Sequence, residues 1–257
     1  MNGACVIAGK DLRNLFLSPL FWILAGLCSV AWSFLFLFSV QEFASQSMLG
    51  MMQSGGENGG SSLHFSVFAR HISLVNLVLI FAISAMTMRM FTEEKRNRTF
   101  DLLLTAPVTA TEIVAGKFLA GVLAAWALVL ISFLYPVSLA LFTKLEWGPL
   151  VSSYIGILLL AASYVSIGMF ASSLTQSSVV SVLLSLILNV MLWFVGAAAE
   201  STDSSASKQV FEHLNVSTHF VNFIKGNVSI SSLAFFLSLI FLNAFLTQRV
   251  VESNRWS

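Results

Sequence analysis

The residues able to do chemistry in this chain are few and poorly spaced for it. Four histidines, His64, His71, His213 and His219, fall in or beside polar stretches, and no H-E-x-x-H zinc motif occurs. Ligation by His71 and His219 would require the fold to bring them together. Cys5 and Cys28 lie before and inside the first apolar run, where they read as packing residues and not as a disulfide or metal framework. No G-x-S-x-G nucleophile elbow is present. The segment Gly3 to Lys10 comes nearest to a phosphate-binding loop, but five residues separate Gly3 from Gly9, and Asp11 stands where Ser or Thr is needed. The chain is therefore expected not to be an enzyme, and any ATP it depends on must be bound by another chain.

One stretch is different. Arg89, Glu93, Glu94, Lys95, Arg96, Arg98 and Asp101 form the densest charge cluster in the protein, followed by Leu102, Leu103, Leu104 and Pro107. Thr99 can cap a short helix, and Asp101 favours the positive helix start. Pro107 ends that helix by pushing its predecessor out of α geometry. Thr109 or Thr111 can cap the next helix, with Glu112 in its first turn. The expectation is a short helix, charged and then apolar, held between two longer ones. Leucines on so exposed a segment call for lipid headgroups or a partner protein to cover them.

The elements around this segment follow from composition. Of the residues, 57% are hydrophobic and 10% charged, with a mean hydropathy of +0.86, against about 25% charged in soluble domains. A crossing takes about 20 apolar residues, so the predicted fold is all-α and polytopic. Six transmembrane helices are placed at about 19–40, 72–90, 113–142, 150–174, 178–199 and 230–246, within a single membrane domain spanning 1–257. Pro136 lies in a third run longer than a bilayer requires, so tilt, a kink or an overhang must absorb the excess. Before the first span, Val6, Ile7, Leu12, Leu15 and Phe16 form an apolar face beside Lys10, Asp11 and Arg13, which suits an interfacial helix; a frayed polar tail is the alternative. A Gly/Ser-rich loop from Gln41 to His71 includes Gly55 to Ser62, and 206–227 suits an interfacial or re-entrant helix. Nine Lys and Arg fall on one side of this topology and four on the other, which places both termini and the Glu93 cluster in the cytoplasm. No basic stripe points to nucleic acid.

The spans themselves carry no Asp, Glu, Lys, Arg or His near mid-depth, where such groups are costly and serve ion coupling. Asn76 and Asn189 are the strongest buried polar residues, and interhelical hydrogen bonds account for them. Ion-coupled transport has no visible machinery.

The run E-E-K-R-x-x-T-F-D-L-L-L-T-A-P-V from Glu93 to Val108, followed by E-I-V-A-G-K from Glu112 to Lys117, resembles the signature of ABC-2 type transporter permeases. The resemblance extends over nearly the whole chain. It implies a type V exporter-like permease fold with an N-terminal elbow helix and a cytoplasmic coupling helix in segment 93–112. It also implies docking onto a dimer of separate ATPase subunits that bind ATP and Mg, and pairing with a second permease subunit, the same chain or another. By carry-over, Glu93, Glu94, Arg96, Thr99 and Asp101 belong to the ATPase-coupling set, with Leu102, Leu103 and Pro107 on the docked face. Gly116 would allow close packing, and Lys117 would face headgroups or the ATPase. The family usually has Gly and Glu where this chain has Arg98 and Asp101, which puts the shape of the loop before the coupling helix in question. His219, Phe220, Phe223, Gly226 and Val228, with Arg255 and Trp256, further resemble the gliding-motility-type branch. The implied protein is the permease subunit of an exporter in a bacterial inner membrane. Its rivals are the membrane part of an envelope or motility machine that moves no solute, and a stand-alone channel or carrier.

Overall fold

The apolar runs fold as helices. A computed structural model describes residues 3–54, 67–100, 108–142, 147–200 and 213–254, side chains at 49–54 and 196–200 excepted, and every regular element among them is helical. In chain order these are α1 (Gly3–Leu17), α2 (Pro19–Ser54), α3 (Ala69–Thr87), α4 (Arg89–Arg96), α5 (Ala110–Ala140), α6 (Trp147–Leu174), α7 (Ser178–Glu200), α8 (Val216–Ile224) and α9 (Ile230–Ser253). Six helical runs are long and apolar enough to cross a bilayer: α2, α3 continued through α4, α5, α6, α7 and α9.

Two expected boundaries move. The helix α2 runs on to Ser54 where a loop from Gln41 was expected, and α9 reaches Ser253 instead of stopping near Leu246. Gln, Glu, Ala, Met and Arg are good helix formers, so the helices outlast their apolar stretches. Pro136 does not end α5, which continues to Ala140. Gly55 to Ser62, with His64, lies outside the described residues.

The centre of the bundle is α6, which packs against α3, α4, α5, α7, α8 and α9. Its sequence explains this position. Ser152, Ser153, Gly156, Ala161, Ser163, Ser166, Gly168 and Ala171 are small and buried, and small residues let helix backbones approach in a membrane. A Cβ on Gly156 would stand 2.6 Å from Cβ of Phe223, and one on Gly168 would collide with the Thr87 hydroxyl. Most of the buried serines return their hydroxyls to their own helix, as Ser166 does to the Ser163 carbonyl at 2.7 Å and Ser172 to that of Met169 at 2.9 Å.

The hydrogen bonds that Asn76 and Asn189 make between helices are neutral. Trp193 Nε1 donates to Tyr164 Oη at 2.7 Å, and Tyr164 donates to Asn76 Oδ1 at 2.9 Å. Asn189 Nδ2 and the Ser185 hydroxyl both reach Ser84 Oγ, at 3.1 and 3.0 Å. Asn76 and Asn189 thus tie α3 to α6 and α7. The outer helices leave apolar stripes uncovered, among them Leu27, Val30, Phe34 and Leu37 on α2 and Val180, Leu183, Ile187 and Met191 on α7, spaced as one helix face.

The helix α1 and the end of α9 come to one end of the bundle. Val251 near the end of α9 is buried with Met90, Phe91, Phe100, Ile113 and Val114, and Ile7 of α1 packs on the same cluster. We call this the charged end.

Candidate functional site

The charged end is assembled from α1, α4 and the start of α5. Within α4, Met90, Phe91 and Thr92 are buried, while Arg89 pairs with Glu93 at 3.2 Å on an exposed flank. Lys95 reaches over α6 to donate to the Ser173 carbonyl and lies 5.5 Å from the Phe100 ring centre. Arg96 is exposed.

The stop of α4 is built on an uncommon residue. Arg98 N–H donates to the Lys95 carbonyl at 3.3 Å and Thr99 N–H to that of Glu94 at 3.0 Å. That paired closure needs a left-handed residue between the two, usually glycine, and Arg98 supplies it with φ +55°. Arg98 therefore does not abolish the turn that a glycine would make; it adopts the same backbone at a cost of about 1–2 kcal/mol. Thr99 also sends its hydroxyl back to the Glu94 carbonyl at 3.4 Å, so its described bonds close the preceding helix. Phe100 then buries against Phe91, ring centres 6.2 Å apart. Asp101, Leu102, Leu103 and Pro107 lie outside the described residues.

Of the two candidate caps for α5, Thr109 takes the role. Its hydroxyl accepts from Glu112 N–H at 3.3 Å, while its own N–H donates to Glu112 Oε2 at 2.9 Å, a reciprocal cap. About two turns on, Gly116 lets α1 close against α5: a Cβ there would stand 2.7 Å from the Ala4 carbonyl oxygen and 2.9 Å from Ile7 Cβ.

Lys117 corrects the expectation that it faces headgroups or a partner. It is 3% exposed, and its ammonium lies 2.9 Å from Glu94 Oε1, 3.0 Å from Asp11 Oδ2 and 2.8 Å from the Met90 carbonyl oxygen. All three of its donors are thereby engaged, and Phe91 covers it with the ring centre 5.1 Å away. The cause is the tight α1–α5 crossing at Gly116, which turns the next residue into the seam. Glu94, placed by its motif among polar contacts to the ATPase, points inward to the same ammonium. Asp11 is the member that sequence reasoning did not single out; it appeared only as a polar position on α1. A lone carboxylate beside an apolar helix face was the available signal. Val6, assigned to that apolar face, is instead exposed, whereas Ile7, Leu12, Leu15 and Phe16 are packed.

Two cavities flank this framework. One, of about 230 Å³, lies between α1, the start of α2, α4 and α5 at the charged end. The other, of about 360 Å³ and almost wholly apolar, lies between α3, α7 and α8 towards the opposite end, with Asn76 and Trp193 in its wall. His219 is seated elsewhere, with Nδ1 3.0 Å from Ser232 Oγ and Nε2 3.1 Å from the His213 carbonyl oxygen, stacked on Phe235. His71 packs between Phe36 and Tyr135. Among the described residues no three His, Cys, Asp or Glu side chains are grouped to hold a metal ion.

Comparison with known families settles the class. The family model described as ABC-2 family transporter protein matches residues 5–245. The chain belongs to this family. No curated protein matches it. As an ABC-2 family membrane protein with six apolar helices, it has the make-up of a permease subunit. The matched region takes in most of α1, the Lys117 cluster, both cavities and most of α9.

Proposed function

We propose that this ABC-2 protein is the membrane subunit of an ATP-driven exporter, worked by a separate ATPase dimer that binds ATP and Mg and paired with a second permease subunit. The observation that carries the reading is the Lys117 triad. It joins the helix leading into segment 97–109 to the helix leading out, and it joins both to α1, through one buried ammonium. A push on that segment would move α1, α4 and α5 as a body and, through α6, the rest of the bundle. The excess of Lys and Arg at this end supports a cytoplasmic orientation in a bacterial inner membrane, with both termini inside. Glu93, Arg96, Thr99, Asp101, Leu102, Leu103 and Pro107 are proposed as the surface that meets the ATPase. Glu94, Gly116 and Lys117 support that surface from behind.

The test is co-purification and coupling. Co-expressed with a cognate ABC ATPase, the chain should form a complex whose hydrolysis responds to a transported solute. Leu102→Asp with Leu103→Asp should leave insertion intact and abolish that response. Full coupling in the double variant would overturn the docking surface. The likeness of His219 to Val228 to the gliding-motility-type branch favours a second reading, mechanical work on an envelope complex. An assembled complex whose ATPase no solute stimulates would select it.

A further inference from the structure

Asn76 meets two different surroundings. Trp193 Nε1 can only donate, so Tyr164 Oη accepts from it and sends its own proton to Asn76 Oδ1. That fixes the amide: its oxygen faces Tyr164, and its NH2 group turns the other way. Asn76 is 4% exposed, yet Nδ2 makes no hydrogen bond among the described residues and, unlike the sealed Asn189 Oδ1, keeps accessible surface. What it meets there is the cavity of about 360 Å³ between α3, α7 and α8.

The walls narrow the class of occupant. The Ser73 hydroxyl donates to the Ala69 carbonyl at 2.9 Å and the Trp193 N–H is taken by Tyr164, which leaves the Asn76 amide as the free donor in a lining otherwise of hydrocarbon and aromatic groups. A buried donor is costly until an acceptor reaches it. No charged side chain lines the cavity, so that acceptor must be neutral; a carboxylate would lose its hydration with no cation to replace it. Leu77, Phe194 and Val221 are exposed at the rim, so the cavity opens on the flank of the bundle. Its depth is set by α3. The run Ala69–Arg96 has 28 residues, about 42 Å at 1.5 Å per residue, which matches a bilayer with its headgroup layers. Ser73 and Asn76 lie about 6 and 10 Å from the end opposite the charged one, where the headgroup layer gives way to hydrocarbon. That is the level of the ester carbonyls that join a phospholipid's acyl chains to its glycerol, and Ile80 continues the wall inward along the path of a chain.

We infer that this cavity holds one acyl chain of a phospholipid from the leaflet opposite the charged end, with the ester carbonyl accepting from Asn76 Nδ2. The headgroup stays outside, so the site reads the acyl linkage and not the headgroup charge. A lipid seated there fills the space between α8 and the two spans beneath it. The inference goes beyond the transport reading and stands whether or not an ATPase partner is found.

Native mass spectrometry of the purified full-length chain, given a diacyl phosphatidylcholine or its dialkyl ether analogue of the same chain length, tests it. The ether lacks the carbonyl, so the ester form should be retained about fivefold more, the size of one net hydrogen bond. Asn76→Leu should erase that preference. Because Asn76 also accepts from Tyr164, Val221→Trp provides an independent block: Val221 is exposed at the cavity rim, and the larger side chain should close the mouth and remove the preference while the lipid-free protein melts as before. Equal retention of the ester and ether lipids, or an unchanged preference in a folded Val221→Trp protein, would each overturn the inference.

Discussion

At the charged end α4 closes on Arg98 at φ +55°, and at the opposite end α8 closes on Gly226 at φ +82°. The hydrogen bonds are the same in form. Thr99 and Arg98 N–H groups return to Glu94 and Lys95, as those of Asn227 and Gly226 return to Asn222 and Phe223, at 3.0 Å in both latter cases. What differs is the residue in the left-handed position and what surrounds it. Gly226 adopts the conformation freely. Arg98 is held there at a cost by neighbours that leave α4 nowhere else to go: Lys117 on Glu94, Lys95 on Ser173, and Phe91 against Phe100. The α8 end is held without charge, by Phe223 on Gly156 and His219 on Ser232. The same local motif is thus locally determined in one place and imposed by tertiary ion pairing in the other.

The comparison can be broken most directly at Lys117. Lys117→Met leaves two largely buried carboxylates without their cation, and removing one partner of such a set costs about 3–5 kcal/mol. A large fall in melting temperature or in membrane yield should follow, partly reversed by adding Asp11→Asn and Glu94→Gln. At the opposite end, Gly156→Ala forces the new methyl into Phe223 and should destabilise by about 1–3 kcal/mol, read as an earlier thermal transition. Gly226→Ala should cost about 1–2 kcal/mol for the left-handed turn alone, visible as faster hydrogen exchange at α8. Arg98→Gly should do the reverse, gaining about 0.5 kcal/mol once the greater freedom of glycine in the unfolded chain is subtracted. If Arg98→Gly gains nothing in melting temperature, the contrast between the two stops is wrong.

Much of the scaffold was legible beforehand because lipid imposes a coarse rule. Leu27, Val30, Phe34 and their like leave no soluble alternative, and six long apolar helices stand where hydropathy put them, to within the overhangs at Ser54 and Ser253. Helix caps were legible to the residue type: the Thr109–Glu112 cap is a local pattern, readable from two positions three apart. Asn76 and Asn189 were recognisable as interhelical donors or acceptors, although Tyr164, Trp193 and Ser84 as their partners were not. The site itself was legible in part. The motif from Glu93 to Lys117 holds two of the three residues that meet in the buried charge cluster, Glu94 and Lys117, but it points Lys117 outward, since the direction depends on α1, a helix about a hundred residues away in sequence.

By itself, then, the amino-acid sequence determined what depends on composition and on neighbours along the chain: the membrane class, the all-helical fold, the family, and where helices begin. Only the tertiary structure decided which charges are inside. Lys117, Asp11 and Glu94 are three ordinary charged residues until Gly116 lets α1 settle on α5. Burial then turns them from surface residues into a joint, because a charge taken out of water is tolerated only where its partners converge on it. That convergence is a property of three helices together, and no one of them carries it alone.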